Sequence, residues 1–281
     1  MNILIFGGTG LVGSLLSEFF SKSHQVKVFG RGVYQDEKII LDSLEWSDVF
    51  IQLSGATINK RWTEEYKKEL HSSRIDTNKL ISKIYKQVHN KPKVIFASAV
   101  GWYPESNCLK PLDESQKEPD NDFLSNLSVQ WEQVANDISS DVLIFRFGVV
   151  LSKNGGALGE MLPFYRLGLG GPVASGNQCF PWVHHKDLCR AFEMAIDKDW
   201  KGVFNLTSPG FLPQKDFGKA LARVLRRPFI IPTFEWQLKM LFGEGASVLL
   251  KSLAVKPERL IKEKFVFTYP EINEALEDIF N

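Results

Sequence analysis

Residues 2–13 read Asn-Ile-Leu-Ile-Phe-Gly-Gly-Thr-Gly-Leu-Val-Gly. Ile3, Leu4, Ile5 and Phe6 form an apolar run of the kind buried on both faces of a parallel sheet, and glycines end it at once. Gly7, Gly10 and Gly13 follow at three-residue spacing, and an amphipathic helix is expected from Leu11 to about Lys22. Each glycine has a separate job in such a turn. Gly7 permits the sharp exit from the strand, Gly10 clears the side chain where backbone meets phosphate, and Gly13 lets the helix pack close to the sheet. The backbone from Thr9 through Leu11 and Val12 to Gly13 then aims free N–H groups at an anion. A strand before the glycines and a helix after them is the context a dinucleotide pyrophosphate requires.

The second strand, Gln25 to Phe29, ends in Gly30-Arg31-Gly32. A site for NAD places an acidic residue there, roughly 20 residues beyond the glycines, to accept from the ribose 2′-hydroxyl. This chain has Gly30 and Arg31 instead. A guanidinium holds a 2′-phosphate through two hydrogen bonds, so the position favours NADP(H) over NAD(H). Asp36 and Glu37 read as solvated loop charges.

At 281 residues and 44% hydrophobic content, the chain can bury a large α/β core with an appended lobe. With 34 basic and 33 acidic residues, its net charge of +1 offers no electrostatic reason to expect nucleic acid or an anionic membrane as partner. Cys108, Cys179 and Cys189 are odd in number and widely spaced. They suggest neither a disulfide framework nor a metal site, and they suit a reducing cytoplasm. No signal-like segment and no apolar run of membrane-spanning length is present, so a cytoplasmic location is expected.

Strand and helix patterns alternate through most of the chain, predicting a Rossmann-type, doubly wound parallel α/β sheet. Ile39-Ile40-Leu41 is a short apolar piece, and 48–54 a strand ending at Gly55-Ala56. Helical periodicity runs from Thr63 to His89, and Val94–Ser98 is a strand. Residues 122–139 form a helix and 142–147 a strand. The stretch from Gly155 to Gly176 reads as a glycine-rich loop, and a helix follows from about Lys186 to Ile196. From Pro209 onward, short helices punctuated by prolines suggest a small, mainly helical C-terminal lobe. The expected division is a nucleotide-binding domain over 1–208, which includes a substrate loop at 151–185, and a lobe over 209–281.

Ligands of such sheets sit beyond the carboxyl ends of the strands. Leu53, Ser54 and Gly55 are small or apolar enough to let a ribose pass close to backbone. Ser98 offers a hydroxyl at a strand end, able to hydrogen-bond a carbonyl or hydroxyl undergoing hydride transfer. Phe180, Trp182 and His184 could shape an apolar pocket, although a histidine before a helix more often caps it or packs in the core.

Taken in order, these motifs make the chain resemble an atypical, extended short-chain dehydrogenase/reductase of the epimerase-family branch with its own C-terminal domain. The resemblance runs from Gly7–Gly13 and Gly30-Arg31 through Leu53-Ser-Gly-Ala56, Ser98-Ala-Val-Gly-Trp-Tyr103, Trp131-Glu132 and Arg146-Phe-Gly-Val-Val150 to Phe180-Pro-Trp-Val-His184 and Tyr269-Pro270. It implies NADP(H) as cofactor, Glu69 and Arg74 bordering it, and Val150 lining the nicotinamide side. One departure stands out. The superfamily's Tyr-x-x-x-Lys acid/base pair belongs on the helix after Ser98, and residues 122–139 contain neither residue. Tyr34 and Lys38 have that spacing on the wrong element. Tyr103 is the nearest other hydroxyl, with Ser98 as its partner.

Two functions follow from these readings. One is an NADP(H)-dependent oxidoreductase or epimerase acting on a small carbonyl, hydroxyl or nucleotide-sugar-like compound. The other is a cofactor-binding regulatory protein without catalysis. Either fits a monomer or a homodimer.

Overall fold

The computed structural model describes residues 1–281. Strand β1 (Asn2–Phe6), helix α1 (Leu11–Phe20) and strand β2 (Gln25–Phe29) lie where the sequence places them. Ile39-Ile40-Leu41 belongs to α2 (Glu37–Trp46), which buries Ile40 and Leu44 four residues apart. Asp36 is its N-cap, not a loop charge, because its carboxylate accepts from the Lys38 and Ile39 amides.

After β3 (Val49–Gln52), the expected long helix is two helices, α3 (Glu64–Ser72) and α4 (Ile75–Tyr85). Thr63 caps the first by accepting from the Tyr66 amide. The break falls at Ser73-Arg74, where side-chain bonds to the β3 loop compete with the helix. Ser73 Oγ accepts from the Ala56 amide, and Arg74 donates to the Ala56 carbonyl. Next come β4 (Lys93–Ala99), α5 (Phe123–Ile138), β5 (Leu143–Phe147) and β6 (Val149–Leu151). The stretch read as a loop contains α6 (Gly156–Arg166), whose buried Leu158, Leu162 and Tyr165 repeat at helical spacing. Gly155 and Gly156 start this helix, Gly168 follows it, and only Gly159 lies inside it.

Strands β7 (Cys179–Phe180) and β8 (Trp182–His184) lead into α7 (His185–Asp197), and β9 (Gly202–Leu206) completes the sheet. The rest is β10 (Leu212–Pro213), α8 (Gln214–Val224), α9 (Glu235–Phe242), α10 (Ser247–Leu250), α11 (Glu258–Lys262) and α12 (Ile272–Phe280). No helix is long and apolar enough to cross a membrane.

Six parallel strands stand in the order β2-β1-β3-β4-β5-β9. The winding reverses between β1 and β3, which opens a crevice over their carboxyl ends. One apolar layer packs Leu4, Phe6 and Phe96 against α2, α4 and α5, and the opposite layer packs Ile3, Ile5 and Phe145 against α1 and α7. A third core joins α6 and β8 to α8 and α12, so residues on both sides of position 208 share one interior.

The cysteines overturn the expectation of unpaired thiols. Cys108 and Cys179 form a disulfide across 71 residues of sequence, with Cα atoms 5.6 Å apart, and only Cys189 is free. Linear spacing cannot reveal that the β4–α5 connection lies against β7.

His184 is wholly buried and caps α7, its Nδ1 accepting from the Lys186 amide at 3.2 Å. Trp182 is also wholly buried, its indole N–H donating to the Gly210 carbonyl. Both therefore build the core and do not line a pocket. Burial drives the His184 pKa from 6.5 down to about 3, with the neighbouring His185 and Lys186 adding to the shift, despite Asp278 at 3.4 Å. The unfolded chain thus takes up a proton that the native state refuses. Stability held above pH 6.5 should fall as acid is added, by up to about 1.4 kcal/mol per pH unit. Urea titrations between neutral and acid pH should show this slope, and His184→Asn, which can still cap, should flatten it.

Candidate cofactor site

The turn after β1 has no room for side chains. Gly7 has a φ of +77°, and a Cβ there would lie 2.8 Å from the backbone of Leu53 and of Ser54. A Cβ on Gly13 would strike the Gly8 backbone and lie 2.7 Å from the Gly7 carbonyl oxygen. Gly8 is equally constrained, since a Cβ would run into Val28; the three-residue spacing of its neighbours gave no reason to notice it. The Gly7 and Gly8 amides donate to the Phe29 carbonyl, tying the loop to β2. The N-cap of helix α1 is Gly10, which has no side chain to cap it, so its first amides must find partners outside the helix. A bare backbone cradle under a helix N-terminus fits a pyrophosphate.

Around the cradle, the ends of β2 and β3 bring the other expected residues together. Gly30 lies beside Thr9 and is followed by Arg31, which is exposed, its Nη1 3.7 Å from Glu69 Oε1 on α3. Ser54 is buried and accepts from the Tyr34 hydroxyl, which also meets Gln52. Gln52 in turn donates to Asn78 at 2.6 Å. The Tyr34 of the misplaced Tyr-x-x-x-Lys is thus a strut for the β3 end, and burial raises its pKa. Arg74 lies directly beneath Gly55, where a Cβ would come within 2.9 Å of the guanidinium carbon. It donates to the Ala56 and Leu70 carbonyls and faces the Trp131 ring. Burial lowers its pKa to about 10, which leaves it charged at neutral pH with carbonyl dipoles as its only acceptors. A positive charge under the β3 loop adds to the site's attraction for phosphate.

A second wall comes from the β6–α6 junction. Asn154, Gly155 and Gly156 face Thr9, Gly10, Leu11 and Ser14 across a cavity of about 280 Å³. Gly156 has a φ of +63°, and a Cβ there would lie 2.8 Å from a Leu11 methyl. Val150 leads into this junction, half-buried on β6. Asn154, Gly155 and Gly156 were absent from the expected site. The available signal was a glycine pair ahead of the Leu158–Leu162–Tyr165 period.

The two hydroxyls expected at the reacting centre are already engaged. Ser98 is 2% exposed and donates to Glu132 Oε1 at 2.6 Å. Glu132, on α5, holds Arg146 of β5 through two hydrogen bonds of 2.8 and 2.7 Å, and the guanidinium covers the Trp102 ring. Tyr103 has no exposed surface, donates to Asn205 Oδ1 on β9, and is pushed up to about 12 by burial. The Tyr103 phenol, expected as the nearest other hydroxyl to the reacting centre, is thus sealed within the core and bonded to β9. Helix α5 carries neither tyrosine nor lysine.

Comparison with known proteins identifies the frame. Residues 3–207 match the model of the NAD dependent epimerase/dehydratase family. The chain belongs to that family. Residues 233–279 match a second model, the domain of unknown function DUF1731. Among family members, the epimerase family protein SH2119 of Staphylococcus haemolyticus is 35% identical over 99% of this chain and 98% of its own. The mouse epimerase family protein SDR39U1 is 34% identical over 99% of both chains. The crystal structure of human epimerase family protein SDR39U1 (isoform 2) with NADPH superposes with a TM-score of 0.88 at 31% identity, covering 99% of each chain.

Proposed function

We propose that this member of the epimerase/dehydratase family binds NADP(H) and acts as an oxidoreductase or epimerase on a small carbonyl, hydroxyl or nucleotide-sugar-like compound. When bound, the nicotinamide supplies or accepts hydride. Residues 1–208 hold the cofactor, and the 151–185 segment with residues 209–281 frames the substrate. Thr9 through Gly13, with Leu11 and Val12 at the helix start, receive the pyrophosphate. Leu53, Ser54 and Gly55 border the ribose, and Val150 the nicotinamide side. The observation that carries the reading is Gly30-Arg31 at the end of β2, next to a glycine cradle with no carboxylate in the NAD-selecting position. Binding of NADPH to the human relative is consistent with it.

Arg31 is the cofactor selector in this proposal. Arg31→Asp should weaken NADPH binding by at least about tenfold, the loss of a charge-assisted pair. NADH affinity should change little. Fluorescence titration with both nucleotides checks this, and an equal loss of both would remove Arg31 from its assigned role.

The buried Ser98 and Tyr103 hydroxyls favour a second reading, in which the cofactor is bound and not turned over. Single-turnover mixing of the NADPH-loaded protein with aldehydes, ketones and quinones decides between them. Oxidation by any compound establishes catalysis; tight binding without oxidation across the panel favours the second reading.

A further inference from the structure

Nine of the fifteen large apolar side chains left exposed in this protein lie within residues 164–169 and 230–241. The two segments are joined. The Ile230 and Ile231 amides both donate to the Gly170 carbonyl, the Thr233 amide donates to the Pro172 carbonyl, and the Ala174 amide donates to the Thr233 carbonyl. Phe164, Leu167 and Leu169 therefore neighbour Ile230 and Ile231, and α9 continues the surface with Trp236 and Met240 one helical turn apart. Through α9 the face also meets the loop beyond β3, because Arg61 donates to the Met240 carbonyl and the Trp62 amide to Phe242.

Cations border this apolar surface. Arg166, Arg226 and Arg227 are exposed, and none of them forms an ion pair. Residues 226–241 contain three cations against one carboxylate, Glu235, which is paired with Lys239 at 2.6 Å. A whole-chain charge of +1 conceals this local asymmetry.

We propose that this face docks on an anionic lipid bilayer, seating Trp236, Ile230 and Leu167 at the headgroup–acyl boundary while the arginines meet lipid phosphates. Contiguous exposed apolar surface marks an interaction site. Tryptophan, aliphatic residues and a fringe of arginine make the composition of an interfacial anchor. A second copy of this chain is the less suitable occupant, because pairing the face with itself would bring Arg166, Arg226 and Arg227 against a surface whose one carboxylate, Glu235, is already paired with Lys239.

Co-sedimentation of the full-length protein with vesicles tests the proposal, using phosphatidylcholine alone and phosphatidylcholine mixed with phosphatidylglycerol. Binding is expected only to the mixed vesicles and should weaken with added salt. Arg226→Ala with Arg227→Ala should reduce partitioning by roughly 25-fold, about fivefold per cation. Ile230→Glu with Trp236→Glu should abolish it. These side chains are exposed, so the melting temperature should hold in both variants. Failure to bind the mixed vesicles, or equal binding to both kinds, overturns the proposal. So does a concentration-dependent dimer in sedimentation velocity that Trp236→Glu dissolves, since the face would then belong to a second copy.

Discussion

Glu132→Ala should destabilise the fold by about 3–5 kcal/mol, the usual result of leaving one member of a buried ion pair alone. Arg146 is 5% exposed and sandwiched between the α5 carboxylate and the Trp102 ring, so the orphaned guanidinium has no route to water. The same deletion removes the acceptor of Ser98 at the end of β4. Three elements, β4, α5 and β5, thus share one carboxylate. Urea denaturation monitored by tryptophan fluorescence would measure the loss, and a change below about 1 kcal/mol would mean that water or a rearranged side chain replaces Glu132. Ser98→Ala separates structure from chemistry at the same spot. As a donor to a charged acceptor, Ser98 should cost about 1.5–3 kcal/mol when removed. If turnover disappears while stability is unchanged, Ser98 touches the substrate.

Gly13→Val should abolish NADPH binding, with an affinity loss above about 100-fold, and should destabilise the native state as well. The added Cβ meets the Gly8 backbone and the Gly7 carbonyl, neither of which can rotate away. Helix α1 must then lift from β1, which misaims its N-terminal amides at the pyrophosphate and opens the Leu16 and Phe20 packing beneath. Gly159→Ala is the matching control. That glycine lies inside α6 with nothing near its missing Cβ, so alanine should stabilise by about 0.5–1 kcal/mol and leave nucleotide affinity intact. Nucleotide titration and thermal melts on the pair would distinguish the loss of a close approach from a general effect of adding a side chain to a glycine.

What was legible in the sequence is what local chemistry determines. Ile3–Phe6 had to be a buried strand, Gly7–Gly13 a tight turn into a helix, and Gly30-Arg31 a strand end without an acid. Each of these features fits within a dozen residues. The features that stayed hidden depend on chain segments meeting. Arg74 breaks a helix because Ala56, eighteen positions earlier, offers it a carbonyl. Cys108 and Cys179 pair because a loop crosses β7. Tyr103 follows Ser98 closely in sequence yet points to Asn205, about a hundred positions onward. Helix α6 escaped for another reason: its apolar period is regular, and flanking glycines outweighed it.

The β4–α5 connection has its hydrogen-bond partners near the far end of the chain. Ser106 bonds to Ser252, Leu112 to Ala254, and Glu114 accepts from the Arg259 amide. During synthesis, β1 through β5 can align as soon as they leave the ribosome, since their partners are already made. The connection cannot. Its disulfide partner Cys179 comes 71 residues after Cys108 and the Asn205 amide 91 after Glu114, and its bonds to Ser252, Ala254 and Arg259 close only once more than a hundred further residues have been translated. A nascent chain stalled before residue 251 would carry a finished nucleotide cradle beside an unfinished wall.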